Sequence, residues 1–311
     1  LPFAKIYVIF IIIDFQIGTF AMSRYLDPKA DVVFKKIFGE HPHLLKSFLN
    51  AVLPLSADRQ IVELTYLSPE QTPSIPMLKR TIADVRCVDT QGRVFIVEMQ
   101  IEWTDSFKQR LLFEAGQAFV KQLKKGEEYH LLQPVYGLGL IATTFDSHPE
   151  QWYHHYQLVN IGKPAKDIIE HLQLVFIELP KFPIQSPNEK QLRLLWLRFM
   201  REINDETKTV SPELLNVPEI SEALSLAEEA AYNPAELLAY ETYWDTVSTE
   251  KTLIRGRYEE GLAEGLAAGL AKGETRERLM IAKNLLKQGA TIDMIMQATG
   301  LPKTDIEKIG R

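Results

Sequence analysis

Arg80-Thr81-Ile82-Ala83-Asp84-Val85-Arg86-Cys87-Val88, then Asp89-Thr90-Gln91-Gly92, then Arg93-Val94-Phe95-Ile96-Val97-Glu98-Met99-Gln100-Ile101: the reading of this stretch decides the fold. Both flanks are rich in β-branched residues and four residues of turn chemistry separate them, so the stretch reads as a β-hairpin. A three-residue loop at 90–92, with Gly92 in the left-handed conformation, pairs Asp89 with Arg93. Residue numbers in every cross-strand pair then sum to 182, and Asp84 stands opposite Glu98. Opposed side chains share a face, with Cβ atoms about 4.5–5.5 Å apart. Gln100, two residues beyond Glu98, shares that face as well. A two-residue loop would shift the register by one and separate the three.

Glu98 follows the apolar run Val94-Phe95-Ile96-Val97 and precedes Met99 and Ile101. A charge inside such a run has to be paired, hydrogen-bonded or bound to a metal. Two carboxylates that close repel each other, and a hard divalent cation such as Mg²⁺ relieves the repulsion through oxygen ligands. The other reading of this face is the solvated side of an antiparallel hairpin, which needs no ligand.

Upstream of the hairpin, Asp27-Pro28 reads as an N-cap with proline at the first helical position, opening a helix that ends near Gly39. A second helix is expected at 43–53, a strand at 61–67 and a proline-bearing loop at 68–78. Downstream, a helix is expected at 105–125 and a strand buried on both faces at 135–145, with further strands at 153–161 and 172–179. From Asn188 the pattern is helical, with helices expected at 211–232 and 234–250. Residues 261–273 repeat Gly-Leu-Ala every four residues. Interior glycine costs a helix about 1 kcal/mol relative to alanine, so the repeat reads either as a flexible or solvated helical connector or as a helix that self-associates into a homo-oligomer. Three short helical units follow at 276–309. Their 295–306 stretch is compatible with a helix-turn-helix turn or with a plain helical cap.

The net charge of −6 is unevenly spread. Residues 22–130 carry 15 Lys and Arg against 14 Asp and Glu, whereas residues 131–311 carry 19 against 26. The acidity belongs to the second half, so the first half is free to handle nucleic acid, although it has no strongly basic stripe. The one cysteine, Cys87, excludes a disulfide framework and a cysteine-based zinc site within the chain, which fits a reducing, cytoplasmic compartment. The apolar run from Ile6 to Ile13 is too short to span a membrane. Residues 1–21 are therefore expected to be an upstream or fragment segment ahead of Met22, with no membrane partner; a short anchor is the alternative.

An aspartate, a short hairpin and then Glu-x-Lys is the signature of the PD-(D/E)xK nuclease superfamily, and this chain resembles one branch of it, the Rpn-type recombination-promoting nucleases and transposases. The resemblance covers residues 25–180. It rests on Asp27-Pro28, on Asp31-Val32-Val33-Phe34-Lys35-Lys36-Ile37-Phe38, on Ile82-Ala83-Asp84 and on Ile96-Val97-Glu98-Met99-Gln100. Arg110, Lys125-Gly126-Glu127-Glu128-Tyr129 and the glycine repeat add to it. Two positions depart from the superfamily pattern: Ala83 stands where proline is loosely kept, and Gln100 stands where the lysine is usual. The branch itself usually shows glutamine there.

The resemblance implies an α/β, restriction-endonuclease-like core, a central mixed sheet flanked by helices, followed by an all-helical C-terminal region. The expected division is a nuclease-like domain at 22–182, a helical region at 183–255 and a repeat helix with its tail at 256–311. It also implies Mg²⁺-dependent or Mn²⁺-dependent cleavage of DNA, in recombination or mobile-element biology. Asp84 and Glu98 would hold the metal and Gln100 would position the nucleophile. Asp31 is a candidate additional acid and Arg110 a candidate phosphate contact. The alternative is a DNA-binding or assembly protein that keeps the fold and cuts weakly or not at all. Other candidates fare worse: His154 and His155 are strand neighbours facing opposite sides, His41 and His43 flank Pro42, and no phosphate-binding glycine loop or Ser/His/Asp set is present.

Overall fold

The structure is a computed structural model that describes residues 24–68, 70–71, 81–82, 84–163, 166–183 and 191–309. The stretch 1–21, the prolines of the 68–78 loop, Ala83 and Asn188 lie outside the described residues.

The hairpin forms in the expected register. Strand β4 (Val85–Asp89) pairs antiparallel with β5 (Val94–Gln100), with Val85 against Val97 and Cys87 against Phe95. Gly92 has φ +79°, and its amide donates to the Asp89 carbonyl at 3.0 Å. The Asp89 carboxylate accepts from the Gln91 amide and from Arg93 Nε, which locks the turn. The expected first strand, 80–88, is not continuous. A two-residue strand β3 (Thr81–Ile82) pairs with β2 (Glu70–Gln71), within the expected loop, and Asp84 occupies a bend before β4.

Around this hairpin lies a mixed six-stranded sheet in the order β1-β4-β5-β6-β8-β7, built with β1 (Leu64–Tyr66), β6 (Val135–Ile141), β7 (Tyr153–Val159) and β8 (Ile168–Glu178). β5, β6 and β8 run parallel to one another and β7 closes the edge antiparallel. Alternation along β5 sends Phe95 and Val97 to one face and Val94 and Ile96 to the other. The first face carries α1 (Asp31–Phe34), α2 (Pro42–Val52), α4 (Gln191–Glu202) and α6 (Pro218–Ala227), with Phe34, Phe48, Trp196 and Ile220 in one core. The second carries α3 (Phe107–Val120) through Phe107, Leu111, Ala115 and Ala118. Gly137 and Gly139 let α3 approach β6: a Cβ at Gly139 would sit 2.9 Å from ring atoms of both Phe107 and Phe176.

Three helical expectations are corrected. The Asp27 carboxylate accepts from the Lys29 amide in a local turn, so the first helix starts only at Asp31 and continues as a π-helical turn, Lys35–Gly39. The helix expected at 211–232 is broken, because Pro218 starts a new helix after α5 (Pro212–Leu215). The helix expected at 234–250 instead runs on as α7 (Pro234–Lys287), through the glycine repeat and through the first of the three expected tail units. No proline interrupts that span, and its alanine, leucine, glutamate, lysine and arginine residues offset the glycines. The chain divides into compact units after Trp244. In the second unit α8 (Ile292–Thr299) and α9 (Lys303–Ile309) build a small core from Ala282, Ile295, Leu301 and Ile306, with Gly300 at φ +66° closing α8. Among the described residues no helix is long and apolar enough to cross a membrane.

Candidate active site

The bend at Asp84 is where the hairpin ladder opens. Hydrogen-bonded and non-bonded pairs alternate along an antiparallel ladder. With the Asp89 amide bonded to the Arg93 carbonyl, the Met99 amide points toward the partner strand. That amide donates to Asp84 Oδ2 at 2.6 Å, and the Asp84 amide donates to Glu98 Oε1 at 3.2 Å. Each carboxylate is thus held by backbone from the other strand. The two meet in a crossed pair rather than across a regular rung.

Glu98 and Gln100 leave β5 on the α3 face, where α3 supplies their neighbours. Arg110 Nη2 donates to Gln100 Oε1 at 2.6 Å and lies 3.5 Å from Glu98 Oε2. Its guanidinium also rests over the buried Phe107 ring, 4.9 Å from the centroid. Gln100 Nε2 donates to the Glu102 carbonyl at 2.6 Å, so both ends of that amide are engaged. Glu114, one turn beyond Arg110, is buried on the same helix and its charge is felt at Glu98.

Asp31 comes from the opposite face. Together with Lys29, Asp84, Met99 and Tyr243 it lines a cavity of about 290 Å³. Its carboxylate is paired with Lys35, one helical turn on, at 2.8 Å. The structure therefore gathers Asp31, Asp84, Glu98, Gln100 and Arg110 at one end of the hairpin. The sequence reading missed Lys35 and Glu114. Their i,i+4 spacing from Asp31 and Arg110 was the available signal.

Burial raises the pKa of both Asp84 and Glu98. For Asp84 the Met99 amide opposes the shift, the Asp31 charge adds to it, and Lys35 and Arg110 counter it. For Glu98 the charges of Asp84 and Glu114 push further up, against Arg110. Two desolvated carboxylates with mutual repulsion and hard oxygen donors are a donor set that a small divalent cation fits. Among the described residues no group of three or more His, Cys, Asp and Glu side chains is placed to hold a metal ion, so the candidate donor set is the Asp84–Glu98 pair.

The histidines are otherwise engaged. His154 bonds with Glu178 at 2.8 Å, His155 with Gln173, and His41 with the Lys36 carbonyl.

No curated protein and no solved structure matches this chain. A family model, the PD-(D/E)XK nuclease family transposase, matches residues 28–256. That span contains both strands of the hairpin, the Asp31 helix and α3. The chain belongs to the PD-(D/E)XK nuclease family of transposases.

Proposed function

We propose that the protein is a metal-dependent DNA endonuclease in mobile-element or recombination biology. Asp84 and Glu98 are its metal ligands, Mg²⁺ is the matching ion and Mn²⁺ a substitute. The observation that carries this reading is the crossed Asp84–Glu98 pair, a half-buried and a buried carboxylate, with Asp84 Oδ2 pinned by the Met99 amide and Glu98 Oε1 by the Asp84 amide. The residues with proposed roles fall within 22–182, the proposed nuclease domain, and the lone, buried thiol Cys87 suits the cytoplasm.

A hard divalent ion held by Asp84 and Glu98 would make a water more acidic and would offset charge on the phosphate. The protein contributes position. Backbone amides fix the carboxylate oxygens, Arg110 braces Glu98 and Gln100, and the Phe107 ring lies beneath the Arg110 guanidinium. Gln100 carries no charge, so it acts by orienting Arg110 and a water rather than as a base. In the net reaction a water oxygen bonds to phosphorus and the ester P–O bond breaks. One proton leaves to solvent and the leaving oxygen takes one up.

A second reading, a DNA-binding protein that cuts slowly, is favoured by one observation: the Gln100 amide is engaged at both ends, by Arg110 and by the Glu102 carbonyl. A plasmid-nicking assay separates the two. The wild type should nick supercoiled DNA with Mg²⁺ and stop with chelator, while Asp84→Ala and Glu98→Ala do not nick. Equal nicking by all three proteins would remove the proposed site.

A further inference from the structure

Gln100 leaves the site without the cation that the family signature carries two residues beyond its glutamate. The carboxylate-rich end of the hairpin then faces an anionic substrate with Arg110 as the cation that contacts Glu98 and Gln100. The opposite face offers three lysines near Asp31. Lys29 is committed to the Met200 carbonyl and to Asp27, and Lys36 to Glu236 and the Tyr232 ring. Lys35 is different: its side chain is 44% exposed and is steered by Asp31.

Two observations place Lys35 beside the site. Asp31, its partner, lines the same cavity as Asp84 and Met99. The π-helical turn that Lys35 opens lies against the start of β4, since a Cβ at Gly39 would be 3.7 Å from Lys35 Cβ and 3.9 Å from Val85 Cγ2. The turn itself is fixed: the Phe38 carbonyl accepts the Tyr66 hydroxyl at 2.8 Å, and His41 Nδ1 bonds with the Lys36 carbonyl. Turns of this kind widen a helix by one residue and re-aim the side chains around them.

We propose that Lys35, aimed by Asp31, supplies the cation that Gln100 does not, so that Lys35 and Arg110 bind the scissile phosphate from the two faces of the sheet. This rests on the nuclease reading above, with the phosphodiester of DNA as the ligand. Asp31 is then a positioning residue, and Lys35 touches a non-bridging phosphate oxygen as a point charge.

The test compares full-length wild type, Lys35→Gln, Lys35→Arg and Asp84→Asn. Binding of a fluorescent DNA duplex is titrated against salt in chelator, and single-turnover cleavage is followed in Mg²⁺ at saturating protein. Lys35→Gln should flatten the log–log salt dependence of binding by about one unit and slow cleavage by about 10²-fold. Lys35→Arg should recover most of both losses. Asp84→Asn should abolish cleavage yet keep the wild-type salt slope. A Lys35→Gln protein with wild-type slope and rate overturns the proposal. So do equal losses in the Gln and Arg variants accompanied by a lowered melting temperature, which would mark a structural lysine. If the wild type never cuts with any divalent ion, the nuclease reading fails, and the salt slopes alone decide whether Lys35 meets phosphate.

Discussion

Asp84 and Glu98 are held together by backbone, against the repulsion of their charges: the Asp84 amide donates to Glu98 Oε1 at 3.2 Å while Asp84 Oδ2 takes the Met99 amide at 2.6 Å. The crossed geometry fixes two carboxyl groups that repel each other when both are charged. Its cost is electrostatic, and that cost makes the pair responsive to protons and to cations.

The first prediction concerns pH. Both carboxyls have folded-state pKa values above their ordinary range, with burial as the main cause. The folded protein therefore binds more protons than the unfolded chain through the mildly acidic to neutral range. The stabilisation is complete below the unfolded carboxyl values and is lost as pH rises through the folded ones. In metal-free buffer the urea midpoint should fall between pH 5 and pH 8, and Glu98→Gln should flatten that fall and be the more stable protein at pH 8. A wild-type profile unchanged by Glu98→Gln would contradict the electrostatic account of the pair.

A second prediction follows from the packing of α3 on β6. Gly139 lies beside Glu98 in the parallel register, and an added methyl would meet the Phe107 and Phe176 rings at 2.9 Å. Gly139→Ala should cost roughly 1–3 kcal/mol in urea unfolding, as overpacking does. It should also weaken cleavage by displacing the helix that carries Arg110. Wild-type stability would mean that α3 is free to shift.

The hairpin shows how far the sequence reaches and where it stops. The 90–92 loop and Gly92 were enough for the register, because a left-handed glycine after a short turn leaves one pairing. The bend at Asp84 was not legible. A side chain taking the Met99 amide is a choice made by the folded site, and local propensity says nothing about it. Lys35 and Glu114 hid for a different reason: charged residues at i,i+4 spacing look the same on a solvated helix as on one lining a site. The length of α7 was misjudged because the glycines were weighed without the strong helix formers between them.

That helix gives a third prediction. A Cβ at Gly261, Gly265 or Gly269 would meet nothing within 4 Å. If these glycines face solvent, Gly265→Ala should stabilise the local helix by about 1 kcal/mol, read as slower amide exchange over residues 255–275. Lost protection, or a change in oligomeric mass, would instead show that a second helix packs against the repeat.

The most direct test of the central claim is calorimetric titration of the metal-free protein with Mn²⁺, in two buffers of different ionisation enthalpy. The account predicts saturable binding that releases protons, because the raised carboxyls must ionise to become ligands. It also predicts loss of that binding in the Asp84→Asn, Glu98→Gln double variant, with its fold retained. Equal Mn²⁺ binding by wild type and double variant, or binding with no proton release, would contradict it.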